Sequence, residues 1–461
     1  MDLDLLVIGS GPSGQRAAIQ AAKLGKRVAV VERRAHLGGN SIHTGTIPSK
    51  TLRVAVLDEL ARRPLDFSDP MHPESRERAA IEFLMSRTAR VVGAEAQVVR
   101  EQFRRNRVGL LLGDGTFVDE HSVCVRDVDD DETFTAQNIV IAVGTSPARP
   151  PDVDFDDSTI IDSDGLLKLD HTLPRTMTVV GAGVIGVEYA SMFGALGVKV
   201  TVVDQRPRIL TFLDGEIGET LQYLLRRNNV TFRLNEKVAG VRRTDEGVET
   251  QLASGKVIRS DTVLYATGRQ GSTASLSLDK AGLEADERGR LAVDDEYRTA
   301  THHIFAVGDV AGNGQGLAAT AMEQGRLAAL HAFERPVAEM PDLVPTGVYA
   351  IPEIAMVGRT EEQLTEAAVP YVAGIARWSE LARGLMSGDE DGMLKLLVST
   401  EDRRLLGVHV LGTSAADLVH IGQAVMGGTN TVDFLVSAVF NYPTFAEAYK
   451  VAALDAVNRM S

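Results

Sequence analysis

The feature that most restricts the fold is an internal repeat. Residues 5–32 read LLVIGSGPSGQRAAIQAAKLGKRVAVVE, and residues 178–204 read TVVGAGVIGVEYASMFGALGVKVTVVD. A shift of 172 positions lays Gly9, Gly11 and Gly14 on Gly181, Gly183 and Gly186. The same shift lays Leu24-Gly25 on Leu196-Gly197 and Glu32 on Asp204. Each copy reads as an apolar strand, a glycine turn, a helix, a second apolar strand and an acid. A lone Gly-x-Gly-x-x-Gly says little. Two copies, each with its acid 23 residues after the first glycine, predict two dinucleotide-binding α/β units.

The spacing has a physical reason. Gly9 and Gly181 permit a tight turn, and Gly11 and Gly183 let the backbone approach a pyrophosphate. Gly14 and Gly186 let the helix pack close to the strand. The unpaired N–H groups at the helix start and the helix dipole favour the pyrophosphate charge. Glu32 and Asp204 are placed to accept from a ribose hydroxyl.

A second pattern also recurs. IVIAVGT at 139–145 and VLYATGR at 263–269 each run from an apolar strand into a glycine turn, at Gly144 and Gly268. Another strand, Ile304 to Val307, ends in Gly308-Asp309. These patterns predict one nucleotide domain, residues 1–147 and 270–340, with a second, 148–269, inserted into it. The proline-bearing stretch Ser146 to Pro151 is the crossing point. Beyond Pro336 and Pro341 the pattern becomes that of a separate α+β domain, 341–461, with strands at 394–398 and 407–411 and helices at 414–426 and 445–459. Residues 64–77, rich in Pro and Asp, read as a surface loop, and the basic run at 104–107 as solvated helix.

Two dinucleotides suggest a resident flavin and an exchangeable nicotinamide. The 48 basic and 63 acidic residues leave a net charge of −15, which argues against nucleic acid or an anionic membrane as partner. Cys124, in the alternating stretch SVCVRD, is the only cysteine and reads as a small packed residue. It excludes an intramolecular disulfide or a cysteine-based metal cluster, and no metal is expected. The first residues enter an apolar strand with no signal-peptide pattern, and no run approaches the ~20 apolar residues of a membrane helix. A cytoplasmic location is expected.

Residues 38–50, GGNSIHTGTIPSK, resemble the active-site segment of the flavoprotein disulfide reductases. That family places two redox cysteines where this chain has Ser41 and Thr46. Residues 441–447, NYPTFAE, resemble the family's C-terminal motif, with Tyr442 in place of the histidine before the proline and Glu447 retained. A thiol base has no task without a thiol, so the two losses agree. Within the family, GTIPSK and FNYPTFAEAY are similar to the segments of soluble pyridine nucleotide transhydrogenases, although these often keep the first cysteine.

The resemblance implies FAD on the first unit, held by Gly9, Gly11, Gly14, Glu32, Thr46, Lys50, Gly144 and Asp309, the last at the ribityl chain. It implies NAD(P) on the second, held by Gly181, Gly183, Gly186, Asp204, Arg206 and Gly268. Lys50 and Glu188 are the implied catalytic pair, with Lys50 near flavin N5. Lys50 and Thr46 would share one face of a short helix starting near Ser41. His43 reads as a satisfied loop histidine. The C-terminal domain resembles the family's dimerisation domain, which implies a homodimer.

The expected activity is ping-pong hydride transfer between NADPH or NADH and NAD(P)+ through flavin. Asp204 favours a free ribose 2′-hydroxyl, whereas Arg206 and Arg208 could hold a 2′-phosphate. One alternative is an NAD(P)H dehydrogenase that reduces a quinone or dye. Another is a redox sensor or scaffold whose flavin does not turn over, against which Lys50 and Glu188 weigh.

Overall fold

The computed structural model describes residues 1–62, 73–127, 130–168, 173–314, 316–337, 339–428 and 430–460. Both repeat copies fold as parallel sheets, and their likeness runs beyond the recognisable sequence. In the first, the strands lie side by side in the order Gly109–Leu112, Val28–Glu32, Leu3–Ile8, Asp131–Ile141 and Ile304–Ala306. In the second, the order is Val230–Leu234, Lys199–Asp204, Thr176–Val180, Thr262–Tyr265 and Ile160–Asp162. All five residues of Val28–Glu32 are buried, as expected of a parallel strand covered on both faces.

Each unit also carries a three-stranded antiparallel meander at the same point in its chain order. The first is Asp114–Asp119, Ser122–Arg126 and the start of Asp131–Ile141; the second is Val238–Thr244, Gly247–Leu252 and Val257–Ser260. Strand Asp131–Ile141 serves two sheets, pairing through 131–135 in the meander and through 136–141 in the parallel sheet. Strand Thr145–Pro147 pairs antiparallel with Arg269–Gly271, so the chain enters and leaves the second unit side by side.

The third part is an antiparallel sheet in the order Thr346–Val348, Ile354–Gly358, Leu405–Leu411, Met393–Ser399 and Tyr371–Arg377. Helix Ala448–Arg459 lies so close to its edge strand that a Cβ on Gly374 would stand 2.0 Å from the Ala452 carbonyl oxygen. Among the described residues no helix is long and apolar enough to cross a membrane.

Three local expectations are corrected. The active-site helix does not start near Ser41: a short helix, Gly39–His43, ends at Thr44, and a 17-residue helix, Thr46–Arg62, follows. Residues 73–77 are not loop but open the 34-residue helix Pro73–Asn106, whose first position suits proline; residues 64–72 lie outside the described residues. Cys124 is half-buried on its meander strand rather than packed in a core.

Candidate active site

The two glycine turns are near-copies in three dimensions. Gly9 has φ +107° and Gly181 φ +109°, a region open to glycine. A Cβ would stand 2.5 Å from the Ala142 carbonyl oxygen in the first and 2.5 Å from that of Ala266 in the second. Gly14 and Gly186 seat the helix on the turn: a Cβ there would lie 2.0 Å from Gly9 O and 1.9 Å from Gly181 O. At Gly11 and Gly183, by contrast, the nearest atom would be 4.0 Å away, so backbone is open to an approaching group. Gly11 caps helix Pro12–Lys23 and Gly183 caps Val184–Ala195, and neither helix start receives a side-chain cap. Their first N–H groups are therefore free for an anion.

The acids match as well. Glu32 accepts from Ser10 N at 3.1 Å and Arg34 N at 3.0 Å. Asp204 accepts from Ala182 N at 2.6 Å and Arg206 N at 2.8 Å. Burial alone would raise the Asp204 carboxyl, but hydrogen bonds from Arg206 and these N–H groups outweigh it and hold it below the usual range.

A cavity of about 890 Å³ joins the two units. It lies near the top of the ~300–1,000 Å³ range of small-molecule sites. From the first unit it is lined by Gly9, Gly11, Glu32, Gly144 and Asp309, and from the helix after the turn segment by Thr46 and Lys50. From the second it is lined by Gly183, Glu188 and Gly268. Gly14, Gly181, Gly186, Asp204 and Arg206 are not part of this lining, although Arg206 reaches within 4.0 Å of a Cβ built on Gly183 at its edge. Ser41 and Thr44 also face the cavity. An open glycine backbone and uncapped helix starts suit a large polar cofactor, and the residues present fit FAD.

The Lys50 and Glu188 side chains meet across the two units. Lys50 Nζ lies 2.7 Å from Glu188 Oε2 and 2.9 Å from Oε1. Glu188 is 3% exposed and also accepts the Tyr349 N–H at 2.8 Å, so three parts of the chain fix this pair. Lys50 Nζ sits 5.0 Å from the Tyr349 ring centroid.

Sequence reasoning missed several neighbours. Arg53, one turn beyond Lys50, donates to the Ala350 carbonyl at 2.8 Å and pairs with Glu353 at 3.2 Å. Its spacing from Lys50 was the only available signal. Arg269 donates to Thr145 Oγ1 and O, both at 2.8 Å, and binds the two crossing strands together. Tyr349 contributes backbone, which no motif marks.

Other expectations resolve individually. His43 Nε2 bonds the Leu37 carbonyl at 2.8 Å, so it is satisfied as expected, but it ends helix Gly39–His43 rather than lying in a loop. Tyr442 is exposed, and among the described residues the buried Glu447 Oε2 has no hydrogen-bond partner. Among the described residues Asp214, Glu216 and Glu361 form a close carboxylate group, but the Lys395 ammonium already sits among them, 2.8 Å from Asp214 and 3.0 Å from Glu216.

Comparison with known proteins agrees with this geometry. Residues 3–325 match the pyridine nucleotide-disulphide oxidoreductase family, and residues 344–453 match its dimerisation domain. The chain is 54% identical to a soluble pyridine nucleotide transhydrogenase of Mycobacterium tuberculosis, over 100% of this chain and 98% of that one. It is 47% identical to one of Hahella chejuensis, over 99% and 98%. Among solved structures it is similar to an HOCl-induced flavoprotein disulfide reductase, RclA, from Escherichia coli. There the TM-score is 0.87 and the identity 27%, over 98% of this chain and 99% of that one. It is also similar to LpdA from Mycobacterium tuberculosis, with TM-score 0.87 and 26% identity over the same shares. The chain belongs to the pyridine nucleotide-disulphide oxidoreductase family.

Proposed function

We propose that this protein is an FAD-dependent transhydrogenase that moves reducing equivalents between NADP(H) and NAD(H) without a disulfide relay. One observation carries the reading: a single cavity is lined by both glycine turns and by the Lys50–Glu188 pair, with hydroxyl residues at Ser41 and Thr46. The chain's only cysteine, Cys124, is absent from that lining. Bound in the first unit, FAD would supply a two-electron store that accepts hydride from a reduced nicotinamide and returns it to an oxidised one.

The chain's own residues have the following tasks. The uncapped start of helix Pro12–Lys23 holds the flavin pyrophosphate, and Glu32 takes a ribose hydroxyl. Thr46, Gly144 and Asp309 bound the rest of the cofactor. The start of helix Val184–Ala195 receives the nicotinamide nucleotide, with Gly268 beside it and Asp204 and Arg206 at its ribose end. Lys50, fixed by Glu188, presents a positive charge that stabilises an electron-rich ring. With one nicotinamide site per chain, donor and acceptor occupy it in turn. Residues 1–147 and 270–340 form the FAD domain, 148–269 the nicotinamide domain and 341–461 the interface of a homodimer. A reaction between soluble nucleotides supports the expectation that it works in the cytoplasm.

The test is spectroscopic. Purified protein should be yellow, bleach anaerobically with either NADPH or NADH, and recover its colour on addition of thio-NAD. Protein that takes up no FAD, or that is reoxidised by a quinone but not by thio-NAD, overturns the reading.

A further inference from the structure

The two repeat copies carry the same arginine in the same place and use it differently. Arg34 and Arg206 each follow the acid by two residues and donate a backbone N–H to it, at 3.0 and 2.8 Å. In the first copy the Ser10 hydroxyl donates to Glu32 at 2.5 Å, and the Arg34 guanidinium turns away to Asn40 Oδ1 at 3.3 Å. In the second copy the residue matching Ser10 is Ala182, which has no hydroxyl. The Arg206 guanidinium takes its place and folds over both oxygens of Asp204, with Nε to Oδ1 at 2.9 Å and Nη2 to Oδ2 at 2.6 Å. Each Asp204 oxygen thus accepts two hydrogen bonds.

The two arrangements suit different tasks. A hydroxyl on the turn is a fixed donor, fit for a cofactor that stays. A guanidinium on a long stem can leave and return. The Asp204 carboxylate is 6% exposed, but the Arg206 side chain is 41% exposed and has room to turn. It also stands at the ligand position: its Nη2 is the nearest atom, at 4.0 Å, to a Cβ built on Gly183.

We infer that Arg206 is a two-position specificity residue that lets one site accept nucleotides with and without a ribose 2′-phosphate. Folded on Asp204, it cancels the charge that would repel a phosphate and leaves a ribose hydroxyl acceptable. Turned outward, it grips a 2′-phosphate, while the Ala182 and Arg206 N–H groups still hold Asp204. The inference rests on the transhydrogenase reading above and adds the means by which one site serves both nucleotide pools.

The test is calorimetric binding to the oxidised, FAD-loaded enzyme, using ADP-ribose and 2′-phospho-ADP-ribose, which differ only in that phosphate. Wild type is expected to bind both. Arg206→Ala is expected to weaken 2′-phospho-ADP-ribose roughly tenfold to a hundredfold, the loss of a charge-assisted pair, and to spare ADP-ribose. Asp204→Asn is expected to shift the ratio of the two dissociation constants the other way. A ratio that Arg206→Ala leaves unchanged, whether both ligands weaken or neither does, overturns the switch alone. So does wild type that binds only one of the two. Wild type that binds neither overturns the transhydrogenase reading, and the switch falls with it.

Discussion

Glu188 concentrates the residue-scale argument, because it carries a buried charge that the Lys50 ammonium meets directly. Glu188→Gln keeps an acceptor for the Tyr349 N–H but removes that charge, so Lys50 is no longer held over the cavity. Reduction by NADPH, followed as flavin bleaching in an anaerobic stopped-flow, should slow roughly 10–100-fold with FAD content unchanged. An unaltered rate would show that the pair only joins the domains. The glycines make a second contrast. Gly14→Ala sets a methyl against Gly9 O at 2.0 Å, an overpacking worth about 1–3 kcal/mol at the cofactor turn. Gly25→Ala meets nothing within 4 Å and suffers only its φ of +77°. The first variant should purify with little FAD and the second with its full complement, read from the ratio of visible to ultraviolet absorbance. These glycines were legible in the sequence because backbone geometry dictates their identity. Arg53 was not: its carbonyl partner, Ala350, lies 297 residues away, and only folding creates the contact.

At the scale of elements, a buried charge cluster ties helix Gly215–Arg227 to the C-terminal sheet. Lys395 and Asp214 are fully buried, on strand Met393–Ser399 and at the cap of that helix. Burial would lower the Lys395 ammonium, but the hydrogen bonds it donates to the Asp214, Glu361 and Glu216 carboxylates outweigh that and raise it. Its stabilisation is therefore present through neutral pH and is lost only in strong alkali. Lys395→Met would leave Asp214 buried without a cation, costing about 3–5 kcal/mol in chemical denaturation, and adding Asp214→Asn should recover part of it. His409, paired opposite Lys395 across the sheet, behaves in the other direction: burial depresses its imidazole. The unfolded chain binds that proton below about pH 6.5 and the folded chain resists it, so stability rises with pH up to that value. His409→Gln should flatten this acid limb, and an unchanged slope would assign it to other groups. Sequence pattern placed the strands and helices of the two repeats and strand 394–398, since strand and helix periods are local, but it did not mark helix Gly215–Arg227. It ran the Gly39–His43 and Thr46–Arg62 helices together, because the break at Thr44 depends on how the segment lies against the first glycine turn: a Cβ on Gly39 would stand 2.8 Å from Gly11 Cα. It also gave no sign that the two meanders correspond, since solvent-facing strands keep topology long after they lose sequence likeness.

For the whole molecule, the remaining question is how the C-terminal domain meets a second copy. Large apolar side chains crowd the stretch from Phe434, on helix Val432–Ser437, to Tyr442, ahead of helix Ala448–Arg459: Phe434 is 46% exposed, Val439 94% and Tyr442 66%. A single exposed apolar residue needs no explanation, but a run of them within one segment marks a contact surface. The segment lies inside the match to the dimerisation domain. In a two-fold dimer every substitution enters the interface twice. Val439→Asp would therefore bury two new carboxylates, each without a partner, and the desolvation cost of unpaired charge falls on the dimer alone. Sedimentation velocity at micromolar concentration should find the wild type as a dimer and Val439→Asp as a monomer. Glu447 lies just beyond this segment with a buried, unpaired carboxylate oxygen, and a partner chain is the natural source of a donor for it. If Val439→Asp stays dimeric, this segment is not the interface, and the unpaired Glu447 oxygen must be satisfied within its own chain or by solvent.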